Sequence, residues 1–275
     1  MKAWKAWKAG LQLAPVATLA LLLVLAIATL TPWLAADPHQ QDLMNTLLPP
    51  GPQHWLGTDH LGRDQLARLG EGLRTSLGLA FASATLAIVL GTATGLLAGS
   101  RGDWADRVLA IAADAISSIP GLLWVLLIAA MAPGQKWALY SGLVITAWVE
   151  FFRPVRAHTR SALLGQPVQA ARLLGFGLWY VLRWHVLRPV IGMLARLWAY
   201  AVASAVLAIA ALGFVGVGLR PPQAELGLMM TEALPYLYDA PWLLAAPVLS
   251  LVLVIGALQA LVTRHIDRPA LEVVA

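Results

Sequence analysis

Runs of about 20 apolar residues, the length a helix needs to cross a hydrocarbon core, recur along this chain and leave it few folds to choose from. They fall at residues 13–34, 77–98, 108–132, 137–152, 191–215 and 242–262. Hydrophobic residues make up 59% of the chain and charged residues 12%, about half the charge of a soluble domain. A β-barrel would instead show short alternating segments with polar lumen positions. The chain is therefore expected to be an all-α integral membrane protein with six transmembrane helices. The fourth run is short for a span and is expected to continue as a helix into the loop that follows.

Charge placement orients these spans. If the N-terminus is inside, Arg63, Arg68, Arg74, Lys136 and Arg220 fall outside, and the other fourteen of the 19 lysines and arginines fall inside. That bias is the one that positive-inside orientation requires, and it places both termini in the cytoplasm. It also accounts for the pI near 9.9 without nucleic acid as a partner. Lys2-Ala-Trp-Lys-Ala-Trp-Lys8 reads as an interfacial anchor or orientation signal. The first run is longer than the apolar region of a signal peptide, so it is read as a retained span.

Between the first two spans lies a segment rich in proline, glycine and charge, 37–74. It contains Leu48-Pro-Pro-Gly-Pro52 and His54-Trp-Leu-Gly-Thr-Asp-His-Leu-Gly-Arg-Asp64. Residues 64–76 then read as an amphipathic helix lying along the surface. His54, Asp59, His60 and Asp64 have the chemistry of metal ligands. Asp and Gly also build turns through Asx hydrogen bonds and positive φ, and a fold-locking or partner-facing role is the stronger reading. No metal site and no cofactor is expected.

Gly91-Thr-Ala-Thr-Gly95 and the glycines of 213–218 lie in or at the ends of spans, where small residues let membrane helices approach closely. Asp114 and Glu150 are the acids within or near a span, and Glu150 is expected to pair with Arg153 or Arg156 on its own helix. Ser117-Ser118-Ile-Pro120 predicts a kink in the third span. Ser117, Ser118, Thr146 and Ser204 could line a polar path or could be hydroxyls satisfied within their own helices. The chain carries no cysteine, no phosphate-binding Gly-x-x-x-x-Gly-Lys-Ser/Thr, no His-Glu-x-x-His and no nucleophile elbow. It reads as a conduit and not as an enzyme.

The stretch from Arg153 to Arg196 carries seven arginines and the block Val168-Gln-Ala-Ala-Arg-Leu-Leu-Gly175. Together with the six spans, Ala170-Ala171-x-x-x-Gly175 resembles the coupling motif of permease subunits of ATP-binding-cassette importers. The stretch from His54 to Asp64 resembles the signature before the second span in their dipeptide, oligopeptide and nickel group. Leu212-Gly-Phe-Val-Gly-Val-Gly-Leu-Arg-Pro-Pro222, followed by Ala240-Pro-Trp242, is similar to that group's stretch between the last two spans. The chain departs from the pattern at Gln169, where many members have Glu, and at Leu187-Arg188-Pro189, where the proline comes one place late. It also has Leu226-Gly227 where Trp-Gly is common.

The resemblance implies the type I importer permease fold, divided into an anchor and first helix (1–35), an outer segment (36–76) and a permease core (77–268) with a cytoplasmic coupling loop at 153–190. It implies import of a small polar solute, either a short peptide or a chelated metal such as nickel, delivered by an extracytoplasmic substrate-binding protein. The implied partners are a second permease subunit, expected to differ from this one, two ATP-binding subunits that hydrolyse ATP, and the bilayer of a bacterial inner membrane. Gln169, Ala170, Ala171 and Gly175 are the implied ATPase-coupling residues, with the small side chains of Ala170, Ala171 and Gly175 letting a partner surface seat closely. The competing reading is a self-contained secondary transporter or channel, whose mid-membrane charges or paired broken helices this sequence does not show.

Overall fold

Three helices in the computed structural model are each long and apolar enough to cross a membrane, and a bent pair of helices has the length and apolarity for a fourth if the pair is one span. The structure describes residues 18–264 except Leu34 and Ala36. The Lys-Trp anchor at residues 2–8 and Arg268 lie outside the described residues. In chain order the helices are α1 (Thr18–Trp33), α2 (Gln65–Arg101), α3 (Trp104–Ser117), α4 (Gly121–Met131), α5 (Lys136–Leu163), α6 (Gln166–Leu173), α7 (Leu178–Val181), α8 (Arg188–Phe214), α9 (Leu226–Ala233) and α10 (Trp242–Arg264). The described residues contain no strand, only a single bridge between Thr58 and Asp64.

Each expected span meets a distinct physical outcome. α2, the continuous helix from α7 into α8, and α10 cross as single helices. The third is broken: α3 and α4 meet at 83°. Pro120 begins the new direction, the Ser117 and Ser118 hydroxyls bond back to Ala113 and Ala115 carbonyls, and Trp124 Nε1 reaches back across the bend to the Ile116 carbonyl at 2.8 Å. The expected kink is thus a full corner. α5 does run on into the loop, for 28 residues. Glu150 and its arginines lower its apolarity below that of a self-evident span. α1 is 16 residues long as described, short for a crossing. Exposed Leu19, Val89, Leu127, Ile191, Leu249 and Val252 give the bundle the apolar outer surface that lipid requires.

One expectation is corrected. Residues 64–76 do not form a separate surface helix; they are the first turns of α2, which is uninterrupted for 37 residues. Their polar side chains, read from sequence as a water-facing stripe, face other protein instead. Gln65 Nε2 donates to the Leu243 carbonyl, and Arg68 is 2% exposed. Asp64 caps the helix by accepting the Ala67 N–H at 2.8 Å, and His54 Nδ1 lies 2.8 Å from its other oxygen.

α2 and α5 pack along a seam of glycines. A Cβ on Gly91, Gly95 or Gly99 would stand 2.5 Å from Phe151 Cβ, 2.8 Å from Val155 Cβ and 2.6 Å from Thr159 Cβ respectively. The four-residue spacing puts all three on one face, and their missing side chains bring the two backbones together. Trp148 fixes the same seam through Nε1 to Thr94 Oγ1 at 2.9 Å. The packing reading of the glycine motif holds.

Candidate functional site

The bundle forms two adjoining, partly open cavities, the first between α2, α4, α5 and α8 and the second between the α3–α4 corner, α5 and α8. The first, about 460 Å³, is lined by Ser83, Val125, Leu143, Thr146, Glu150 and Ser204 among others. The second, about 530 Å³, is lined by Ser117, Pro120, Thr146, Glu150, Arg153 and Tyr200 among others. Gly121, Thr146 and Glu150 border both. Spaces of this size suit a small solute.

The hydroxyls singled out from sequence divide by position. Thr146 lines both cavities, Ser204 the first and Ser117 the second, while Ser118 borders neither. Ser117 and Thr146 also bond back to carbonyls of their own helices, Thr146 to Gly142 and Leu143 at 3.1 Å each. The Ser204 hydroxyl has no partner among the described residues and is exposed to the cavity. Ser117 and Thr146 thus bond within their own helices and still border a cavity.

Glu150 overturns its expected role. Arg153 Nη2 donates instead to Asp114 at 2.9 Å, and Arg156 and Arg160 both hold Asp106. Among the described residues no cation lies within ion-pair distance of Glu150. α3 thus fastens to α5 through its own acids, and the carboxylate one turn before Arg153 is left facing open space.

At the α6 end of the bundle, the loop block folds as a separate helix of 8 residues, divided from α5 by the extended Gly165. Pro167 sits in the first turn of α6, where its missing N–H costs nothing. Gly175 adopts φ +84° just past the helix. Its N–H donates to the Arg172 carbonyl at 3.0 Å, and the Phe176 N–H donates to Ala171 at 3.1 Å. This is the paired-bond helix stop that a left-handed residue permits. Gly175 is therefore there for its backbone, and a Cβ on it would meet nothing within 4 Å. Ala171 turns inward against Val168 and Val181, while Gln169 and Ala170 face outward. The small surface left open is Ala170 and Gly175, flanked by exposed Leu173, Leu174 and Trp179. Gln169 Nε2 folds back to the Leu164 carbonyl at 3.1 Å.

Beyond α6 the chain rises again through α7. A six-residue π-helical stretch, Leu182–Leu187, separates α7 from α8. Pro189 follows it, and the widened turn gives the proline ring room against the preceding carbonyls. Pro189 therefore sits in the first turn of α8 and also within a helix continuous from Leu178 to Phe214.

The far end of the bundle is closed by charge. Asp59 Oδ2 accepts Arg63 Nε at 2.7 Å and Arg68 Nη1 at 2.6 Å, and Glu232 Oε2 on α9 accepts Arg68 Nη2 at 2.7 Å. The two arginines and Asp59 are at most 4% exposed. Burial alone would raise the Asp59 carboxyl, but the Arg68 charge, the Arg63 guanidinium and the backbone N–H groups of Arg63 and Leu61 outweigh it and hold the group below the usual range. His60 stacks on Tyr236 at 5.5 Å. The cluster is thus a lock between the 37–64 segment and the α8–α10 connection, and no group of three or more metal-ligating side chains occurs among the described residues. Sequence reasoning gave this cluster a fold-locking or partner-facing role, which Asp59 fills, but passed over Glu232. Two arginines within an apolar chain, near an acid, were the available signal.

Comparison with known proteins follows this geometry. The family described as binding-protein-dependent transport system inner membrane component matches residues 91–268. A probable D,D-dipeptide transport system permease protein of Escherichia coli K12 is 34% identical, over 86% of this chain and 80% of the relative. An oligopeptide transport system permease protein of Bacillus subtilis 168 is 30% identical, over 86% and 78%. A nickel transport system permease protein of Escherichia coli K12 is 33% identical, over 87% of both. In fold the chain is similar to a solved inward-facing structure of the MetNI methionine ABC transporter, with TM-score 0.53, 21% identity and coverage of 70% of this chain and 92% of that one.

Proposed function

The chain belongs to the inner-membrane components of binding-protein-dependent transport systems, the membrane-embedded permeases of ATP-binding-cassette importers, and from that premise we propose how it works. It forms half of a pore with a second permease subunit. Two ATP-binding subunits dock at α6 and hydrolyse ATP, and a substrate-binding protein delivers cargo at the opposite face. The cargo is a small polar solute, a short peptide or a chelated metal such as nickel. The protein resides in a bacterial inner membrane with both termini cytoplasmic, residues 36–74 outside and the 153–190 loop inside. Functionally the chain divides into an anchor with the first helix (1–35), an outer segment (36–76) and a permease core (77–268).

One observation carries this reading: α5 is a single helix that borders the cavities at Thr146 and Glu150 and ends two residues before α6 begins. A displacement received at Ala170 and Gly175 passes from α6 to the end of α5 at Leu163, and from there to Thr146 along about 26 Å of helix. Such rigid-body transfer is the means by which a partner's closure opens a path. Gln169 adds no charge to the contact, so neighbouring apolar side chains carry it. A bare divalent cation needs several oxygen or nitrogen ligands to replace its water. The described residues supply no such group, so metal would travel inside a complex that brings its own ligands.

The test is uptake by the complex purified with its partner subunits and reconstituted in liposomes. ATP-dependent uptake that requires the binding protein, and chelator-dependent uptake of any metal, is expected. Robust uptake of free nickel in chelator-free medium would sink the cargo assignment. Solute uptake by this chain alone, without ATP, would favour a self-contained transporter.

A further inference from the structure

The proposed path contains a carboxylate that the fold leaves unemployed. Glu150 is exposed to both cavities, and no cation among the described residues neutralises it. The surrounding wall is otherwise small and uncharged at Ser83, Thr146, Ala201 and Ser204. The one cation bordering the space, Arg153, is bound to Asp114 at 2.9 Å. An ionisable side chain inside a membrane protein is expensive unless paired, and the neighbouring arginines of α5 are all paired. A partner for Glu150 must therefore come from outside this chain, and the cavity it faces is open to what enters. Tyr200, 55% exposed, borders the same second cavity and offers an aromatic face, the other surface that attracts an organic cation.

We propose that Glu150, with Tyr200 lining the same cavity, is a cation-recognition point in the translocation path, matched to cargo that carries a protonated amine. The ligand is an ammonium and not a metal ion, because one carboxylate cannot replace the hydration of a divalent cation and no further ligating groups stand with it. The proposal rests on the path reading above and names what that path prefers.

The chain's lack of cysteine makes the test direct. Ser204→Cys places a thiol on the wall of the first cavity. In the reconstituted complex its modification is followed on this chain by mass, using a trimethylammonium and a sulfonate methanethiosulfonate of similar size. With Glu150 present the cationic reagent should react roughly tenfold faster than the anionic one, the low end for a cleft lined by one sign of charge. Glu150→Gln should abolish the preference, and Glu150→Asp should keep most of it. Dialanine amide, which carries only the ammonium, should slow the modification more than N-acetyl-dialanine, which carries only the carboxylate. A Ser204→Cys thiol that neither reagent reaches would refute the path itself, and this inference with it. A reachable thiol without charge preference, or with one that survives Glu150→Gln, would overturn the role of Glu150 and leave the path standing. Protection that does not favour dialanine amide, its absence included, would withdraw the amine assignment.

Discussion

Asp59→Asn isolates one charge in the lock that joins the 37–64 segment to α9. The amide keeps an oxygen for the N–H groups of Leu61 and Arg63, which Asp59 Oδ1 accepts at 2.9 Å each. What disappears is the negative charge on the oxygen shared by Arg63 and Arg68. Breaking a buried ion pair by removing one partner costs roughly 3–5 kcal/mol. Here Glu232 remains 2.7 Å from Arg68, so the loss should fall near the lower end, about 3 kcal/mol. Arg63, whose contact with Glu232 is longer at 3.4 Å, is left as the uncompensated cation. Arg63→Met added to Asp59→Asn should therefore recover about half of the loss or more, by restoring one arginine to one carboxylate. Denaturant unfolding in micelles, followed by the emission of the chain's 12 tryptophans, measures both variants against the parent. A single variant within about 1 kcal/mol of the parent, small against the range for broken buried pairs, or a double variant less stable than the single one, would refute the account of this cluster as a charge-balanced lock.

Other outcomes follow from the same structure. Because the Asp59 carboxyl is held below its ordinary value of 3.8, its contribution to stability is complete above that value. It should fade as pH falls below it through the folded-state value, and Asp59→Asn should remove that acid-side slope. Gly95→Leu must displace Val155 and the backbone of α5, so it should lower the amount of folded protein sharply, whereas Gly78→Leu on the same helix meets nothing within 4 Å and should be tolerated. At Gly175, where φ is +84°, Asn tolerates the backbone and Ala strains it by about 1 kcal/mol; if docking needs only the helix stop, Asn should couple better than Ala, and if it needs an open surface, both Asn and Trp should lower transport and ATPase stimulation together at normal membrane levels. Gln53→Cys should react with an impermeant thiol reagent on intact spheroplasts and Gln166→Cys should not; the reverse pattern would invert the orientation assigned from charge.

What the sequence disclosed is what depends on local chemistry. The apolar runs, the corner at Pro120, the continuation of α5 beyond Phe152 and the close approach at Gly91 and Gly95 each follow from a residue's own size, polarity or backbone. What it hid depends on partners far along the chain. Arg63 and Glu232 are 169 residues apart, and no period or spacing links them. Glu150 looked paired because arginines stand three and six residues on, yet α3 supplies better-placed acids to both. Residues 64–76 have the alternation of a surface helix, because a polar face turned to water and a polar face turned to buried charge read identically. Ala171 and Ala170 are indistinguishable in sequence, and only the position of Val181 decides which one is covered.

The π-helical stretch at Leu182–Leu187 has a consequence for how this protein can change length. A wide turn of this kind absorbs one surplus residue, so the helices on either side keep the faces they would have in an unbroken α-helix one residue shorter. Between Arg188 and Tyr200 a single deletion would rotate the downstream residues by about 100° and carry Ala201, Ser204 and Ala205 away from the cavity wall they line. Within Leu182–Leu187 the same deletion would close the wide turn and leave their azimuth unchanged. The stretch is a phase buffer between the α6 loop and the cavity, and the place where the connecting rod could be shortened without turning it.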